Sequence, residues 1–183
     1  MKRAAELRKL SDDHHQGLVQ ARRLRKAATS EEVEPLEETA RTFLKFWQRE
    51  TSTHFRKEEE VLLPVLARYE QDVSRRPMVE MLAQHAEIRG LVMQLSDEYA
   101  DGNTRPETLR DIGERLEAHI QLEEREVFPK IEETLPEEGL KEVAARLAVK
   151  EGGPHAEAWV PTEGGLSYGY WPGPGDCEGG GWD

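Results

Sequence analysis

One eleven-residue pattern occurs twice in this chain and limits what it can fold into. His54-Phe55-Arg56-Lys57-Glu58-Glu59-Glu60-Val61-Leu62-Leu63-Pro64 returns as His119-Ile120-Gln121-Leu122-Glu123-Glu124-Arg125-Glu126-Val127-Phe128-Pro129. Both copies set Glu four and five residues after His, apolar residues eight and nine after, and Pro ten after. On a helix, residues four apart stand one turn above another on the same face. Each copy therefore presents an imidazole beside a carboxylate. Two such pairs facing each other across a bundle form a metal site with nitrogen and oxygen ligands.

The rest of the chain supplies the helices such a site needs. Leu7, Leu10, His14, Leu18, Ala21 and Leu24 recur at threes and fours, which predicts a first amphipathic helix over about 4–28. A connection over 29–35 follows, and Pro35 suits the first turn of a second helix. The inner line of that helix is Ala40, Phe43, Trp47, Thr51, His54, Glu58, Val61 and Val65, and Pro64 is expected to kink or end it. A third helix starts around Ser74 to Pro77, with the stripe Met78, Met81, His85, Ile88, Val92, Leu95 and Tyr99, and stops at Asp101-Gly102-Asn103. Thr104-Arg105-Pro106-Glu107 reads as a capping box. It opens a fourth helix lined by Leu109, Ile112, Leu116, His119 and Glu123 that ends near Pro129. A short fifth helix over 136–150 is built on Leu140, Val143, Ala144 and Leu147. Long helices with short connections and no alternating strand pattern predict an all-α chain: an up-down-up-down antiparallel four-helix bundle. The 65-residue offset between the two copies suggests two helix pairs related by a pseudo-twofold axis.

Charge and composition bound the function. The net charge is −12, so the chain gains nothing from neutralising phosphates, which argues against nucleic acid as a partner. No run of about 18 apolar residues suggests a membrane span, and the basic start reaches no apolar stretch of the kind a signal peptide carries. The one cysteine, Cys177, allows no internal disulfide and fits a reducing, cytoplasmic setting. Residues 1–150 read as the metal-binding bundle. Residues 151–183 hold six of the 37 acids, no Lys or Arg, ten of the 15 Gly and three of the four Trp. That Gly/Pro/Trp-rich tail is either disordered or docked on the bundle through Trp159, Tyr168, Tyr170 or Trp171. Its His155 falls outside the helical pattern.

Every long helix carries a His on its apolar line. Buried ionised carboxylates at Glu58 and Glu123 need cations, and no Lys or Arg occupies the matching inner positions. One His from the first helix, His54 and Glu58, His85, and His119 and Glu123 make four imidazoles and two carboxylates. That set is too large for one tetrahedral zinc. It divides over two ions with the carboxylates bridging, and an oxide or hydroxide bridge would lower the remaining positive charge. Iron, manganese and zinc all suit such donors. His14 and His15 compete for the first-helix position: Leu10 upstream favours His14, Leu18 downstream favours His15. Glu59 and Glu124 are either surface acids or acceptors for a ligand-His proton. Met78, Met81 and Met93 read as core filling, and Phe43 and Trp47 as a cap that keeps the site dry. No nucleophile triad, phosphate loop or dinucleotide fingerprint is present.

These residues resemble the hemerythrin-like, or HHE, family over about 7–135. Both copies read His-x-x-x-Glu-Glu before an apolar pair and Pro, and Leu10-Ser11-Asp12-Asp13-His14-His15 and Gln84-His85-Ala86-Glu87-Ile88 match the first and third helices. The resemblance implies a four-helix bundle around a non-haem di-iron centre with an oxo-type bridge. It also implies a small ligand such as oxygen, nitric oxide or a peroxide, in roles from sensing and stress defence to iron handling. The rival implications are catalysis (peroxide or nitric oxide reduction, or repair of iron centres) and a non-redox or regulatory metal module with an unknown protein partner. Oxygen-carrying members have a second His one turn after the third-helix ligand; Arg89 stands there here. They also place the fourth-helix acid differently, as an Asp one residue further on. The four-His, two-Glu set therefore looks more like the bacterial and di-iron repair members. A cationic Arg89 near the site would favour an anionic ligand.

Overall fold

A computed structural model describes residues 3–29, 36–70 and 73–152. Those residues form five helices and no strand. Helix α1 is Arg8–Thr29. Helix α2 is a continuous run of Leu36–Phe46, Trp47–Thr51, Ser52–Lys57, Glu58–Leu62 and Leu63–Leu66, the second and fourth being π-turns. Helix α3 is Met78–Ala100. Helix α4 joins Pro106–Leu122, a π-turn at Glu123–Val127, and Phe128–Thr134. Helix α5 is Glu137–Gly152. The connection over 30–35 with Pro35, and the tail from 153 with its proposed aromatic docking, lie outside the described residues.

Helix α1 lies against α2 and α4, and α3 lies against the same two. Pairings of 17 with 120 and 21 with 113 run α1 antiparallel to α4. The close approach depends on two glycines. A Cβ at Gly17 would meet Ile120 Cδ1 at 2.8 Å, and one at Gly113 would meet the Ala21 carbonyl oxygen at 2.7 Å. Two apolar clusters fill the ends of the bundle. One joins Leu7, Leu10, Leu62, Met81, Phe128 and Val143; the other joins Ala21, Leu24, Phe43, Phe55, Ile88 and Leu116. The polar layer between them holds the repeated His and Glu residues. Helix α5 closes the first end, burying Val143 and Leu147.

The α3 and α4 inner lines form as their periodicity predicts: Met78, Met81, His85, Ile88, Val92 and Leu95, and Leu109, Ile112, Leu116, His119 and Glu123, are all buried. Four expectations differ. Leu18 is on the surface, because α1 turns Gly17 toward α4. Met93 lies outside the core, 51% exposed. The capping box does not form. Arg105 is the N-cap residue with no side-chain cap; Glu37 takes the Thr104 N–H at 3.0 Å and Glu98 takes the Arg105 N–H at 3.1 Å.

The fourth difference concerns Pro129, past which α4 runs on to Thr134, whereas α2 ends at Leu66, close to Pro64 as expected. In the π-turn before each, the backbone ladder slips by one residue, so Leu63 N–H bonds to the Glu58 carbonyl and Phe128 N–H to that of Glu123. Each proline then sits in the first turn of a renewed α segment, where a missing N–H costs nothing. The repeat is thus a helix, a widened turn that starts on the Glu, and a proline matched to that turn.

Candidate metal centre

The four helices bring six of the seven candidate residues together. His14, His54, Glu58 and Glu123 offer ligand atoms that lie within 4.8 Å of one another, and so do Glu58, His85, His119 and Glu123. The two quartets share both glutamates. All six residues are buried, with Glu58, Glu123 and His85 at 0% exposure. The ambiguity in α1 resolves geometrically: His14 points inward, and His15 is exposed on the outer face.

The Nε2 atoms converge on the carboxylates. His14 Nε2 is 2.9 Å from Glu123 Oε2 and His119 Nε2 is 2.9 Å from Glu123 Oε1. His54 Nε2 is 3.2 Å from Glu58 Oε1, and His85 Nε2 is 3.4 Å from Glu58 Oε2. Among the described residues, no hydrogen bond satisfies the four carboxylate oxygens of Glu58 and Glu123 or the Nε2 atoms of His85 and His119. Buried polar atoms left this way are costly. Bound metal would satisfy these atoms, so the residues fit a metal site. The Nε2 atoms of His14 and His54 lie 3.1 Å apart and would serve the same ion.

Each outer ring nitrogen is tied to the neighbouring helix. The Nδ1–H of His14 donates to Glu124 Oε1 at 2.7 Å, and that of His85 to Glu59 Oε1 at 2.7 Å. The Nδ1–H of His54 donates to Asp13 Oδ2 at 3.3 Å, and that of His119 to Gln84 Oε1 at 3.2 Å. Four bonds thus lace α4 to α1, α2 to α3, α1 to α2 and α3 to α4. Carboxylates and the amide oxygen only accept, so they fix the proton on Nδ1 and leave Nε2 as a donor to metal. Glu59 and Glu124 are these acceptors and not surface acids. Asp13 and Gln84 each directly precede an inner His, a signal in the sequence that periodicity alone does not assign.

The electrostatics are those of a site made for cations. Burial pulls the His54 imidazole down, but Glu58, Asp13 and Glu123 outweigh it and hold it up at about 10. His85 is likewise opposed by burial and lifted by Glu123 and Glu58 to about 9. Burial raises Glu123, yet His119, His14 and His85 bring it well below the usual carboxylate value. Burial and repulsion from Glu123 raise Glu58, and the imidazoles more than compensate. The carboxylates thus stay ionised, and His54 and His85 hold protons that a metal would displace.

Aromatic rings seal the layer. Phe55 stacks on His85 at 3.8 Å between centroids and meets His119 edge-on at 4.9 Å. Phe128 stacks on His14 at 5.3 Å. Phe55 and Phe128 take the shielding role expected of Phe43 and Trp47. Phe43 belongs to the apolar core, and Trp47 packs edge-on against Phe55 at 5.5 Å. Arg89 does not serve the centre as a free cation. Its guanidinium grips Glu59 twice, at 2.7 and 2.9 Å. Beside His14, His54 and His119 lies a cavity of about 20 Å³ walled by Gly17, Thr51 and Ile120.

Among the described residues no helix is long and apolar enough to cross a membrane. Comparison with curated proteins and with solved structures finds no match. The family model for the hemerythrin HHE cation-binding domain matches residues 6–131, which spans α1 to α4 and all six clustered residues. Buried His and Glu on four helices and that match lead to one conclusion: this chain belongs to the hemerythrin HHE cation-binding domain family.

Proposed function

We propose that the protein holds two iron ions in this cluster and uses them to bind or react with a small oxidant: oxygen, nitric oxide or a peroxide. The observation that carries the reading is the pair of four-residue ligand sets sharing Glu58 and Glu123. Mixed imidazole and carboxylate donors suit iron, with manganese and zinc as the other candidates. A di-iron pair, when bound, would supply electrons to such a ligand and take them back. The protein's own part is to hold the ions and control access. Glu58 and Glu123 neutralise positive charge, and the four Nδ1 bonds fix the imidazoles. Phe55 and Phe128 exclude bulk water. The cavity of about 20 Å³ beside His14, His54 and His119 has room for a water-sized molecule, in keeping with a small ligand. The single cysteine supports placement in a reducing compartment such as the cytoplasm.

A second reading within this one is a reactive centre, as in the four-His, two-Glu bacterial members, in preference to a durable oxygen carrier. Helix α3 gives one imidazole, since Arg89 is committed to Glu59. His14 and His54 would hold one ion and His85 and His119 the other, with Glu58 and Glu123 common to both sets, a donor set that leaves room for an exogenous ligand. The test is to reduce the iron-loaded protein anaerobically, expose it to air and then sparge with inert gas, following the absorption spectrum. Conversion to an oxidised spectrum that sparging does not reverse is expected. Full return over repeated cycles would restore oxygen transport or storage to first place. A spectrum indifferent to oxygen, nitric oxide and peroxide would leave only a structural or regulatory metal site.

A further inference from the structure

Two of the four Nδ1 acceptors are themselves held by arginine, in matching arrangements. At His85, Arg89 binds both oxygens of Glu59 and lies over the Phe55 ring at 5.5 Å, and Phe55 stacks on His85. At His14, Arg3 reaches Glu124 Oε2 at 2.7 Å and lies over the Phe128 ring at 4.9 Å, and Phe128 stacks on His14. Phe55 lies one turn before Glu59, whereas Phe128 lies one turn after Glu124. The two arrangements are therefore assembled from different positions and are not a simple copy of the sequence repeat.

They differ in where the arginine comes from. Arg89 lies inside α3, one turn from His85, and is rigid with it. Arg3 precedes α1 and lies before the residues that the family model matches. It is nevertheless anchored, with its side chain only 16% exposed. Arg3 also donates to the Glu124 backbone carbonyl at 3.1 Å and to Glu132 Oε2 at 3.1 Å, and Glu132 Oε1 takes the Ala4 N–H at 2.7 Å. Glu132 stands just past the other end of the matched region. Ser11 Oγ completes the grip, donating to the same Glu124 oxygen as His14, at 2.6 Å.

We infer that Arg3 is a positioning residue for the metal centre: by clamping Glu124 against His14, the segment before α1 sets the affinity of the half-site formed with His14 and His54. The inference rests on the two-ion reading above. Arg3 touches neither ion position. It fixes the oxygen that orients the His14 ring, as partners behind metal-bound histidines commonly do. The half-site of His85 and His119 has its arginine built in, so the two ions should respond differently to loss of Arg3.

The experiment is an anaerobic titration with ferrous iron against a competing chelator, on full-length wild type and on Arg3→Ala, Arg3→Lys and Arg89→Gln. Arg3→Ala should weaken one equivalent about 10-fold or more and leave the other within about 3-fold, in the range found for such supporting residues. Arg3→Lys should recover part of that loss, because an ammonium keeps the charge without the planar two-point grip. Arg89→Gln should weaken the other equivalent, and Arg3→Ala with Arg89→Gln should weaken both. Glu132→Gln loosens the clamp without touching Glu124 and should reproduce the Arg3→Ala pattern in weaker form. Unchanged affinity for both equivalents in Arg3→Ala, with only the metal-free melting temperature lowered, would make Arg3 a fold contact and overturn the inference. Equal weakening of both equivalents would overturn it too. Wild type that takes fewer than two equivalents contradicts the two-ion reading itself, and that result is read before any variant is compared.

Discussion

At the scale of residues, direction decides which of two adjacent histidines meets the metal. His14 and His15 differ by one position, about 100° around a helix, and only His14 faces Glu123. His14→Ala should therefore lose about one of two metal equivalents, while His15→Ala keeps both, measured as metal per folded chain. Loss in His15→Ala of the same size would place α1 in another rotation. The inner His and Glu of α2, α3 and α4 were legible because they lie on regular three-four lines. Glu59, Glu124, Asp13 and Gln84 were harder to read, since each sits one residue off such a line and acts on a helix other than its own. Phe55 was missed for a related reason. It directly follows His54, one residue off the three-four line, yet it is buried and its ring stacks on His85 of another helix.

At the scale of elements, the widened turns explain what hydrophobic periodicity misreads. A proline inside a regular helix costs about 3 kcal/mol or more. Because Pro64 follows a π-turn, Pro64→Ala should change unfolding free energy by less than about 1 kcal/mol. A gain near 3 kcal/mol in chemical denaturation would show that Pro64 strains α2 after all. Small residues are equally silent in a hydrophobic pattern, which is why Leu18 took the place of Gly17 in the expected α1 line. The two close-contact glycines should differ. At Gly17 the obstruction is the end of a flexible Ile120 side chain, and helix propensity offsets part of its displacement. At Gly113 it is the Ala21 backbone carbonyl, so α1 and α4 must separate. Gly113→Ala should destabilise by about 1–3 kcal/mol and Gly17→Ala by less. The reverse order in thermal unfolding would contradict this crossing of α1 and α4.

At the scale of the whole molecule, two apolar clusters enclose a charged layer, and the charge state of that layer couples folding to metal. Without metal, His54 and His85 are held at about 10 and about 9, above their ordinary value of 6.5. A histidine raised in the folded state stabilises the fold fully below its unfolded value and loses that contribution as pH rises through the folded one. Metal-free protein should thus melt at falling temperature between about pH 6.5 and 10. Metal-loaded protein should change little over that window and melt higher throughout. A metal-free melting temperature that rises over the same window would reverse the assigned charges.

The bundle was legible in the sequence because its helices have regular apolar faces. The reach of Arg3 across the fold was not, because nothing local links it to Glu124 and Glu132, 121 and 129 positions away. The central claim is that four imidazoles and two shared carboxylates form one two-ion centre. Anaerobic addition of ferrous iron to metal-free protein, with bound metal and released protons counted together, tests it most directly. The account predicts saturation at about two ions per chain, with protons released on loading and tighter binding as pH rises from about 6 to 9. Saturation at one ion in folded protein, or uptake without proton release, would contradict it.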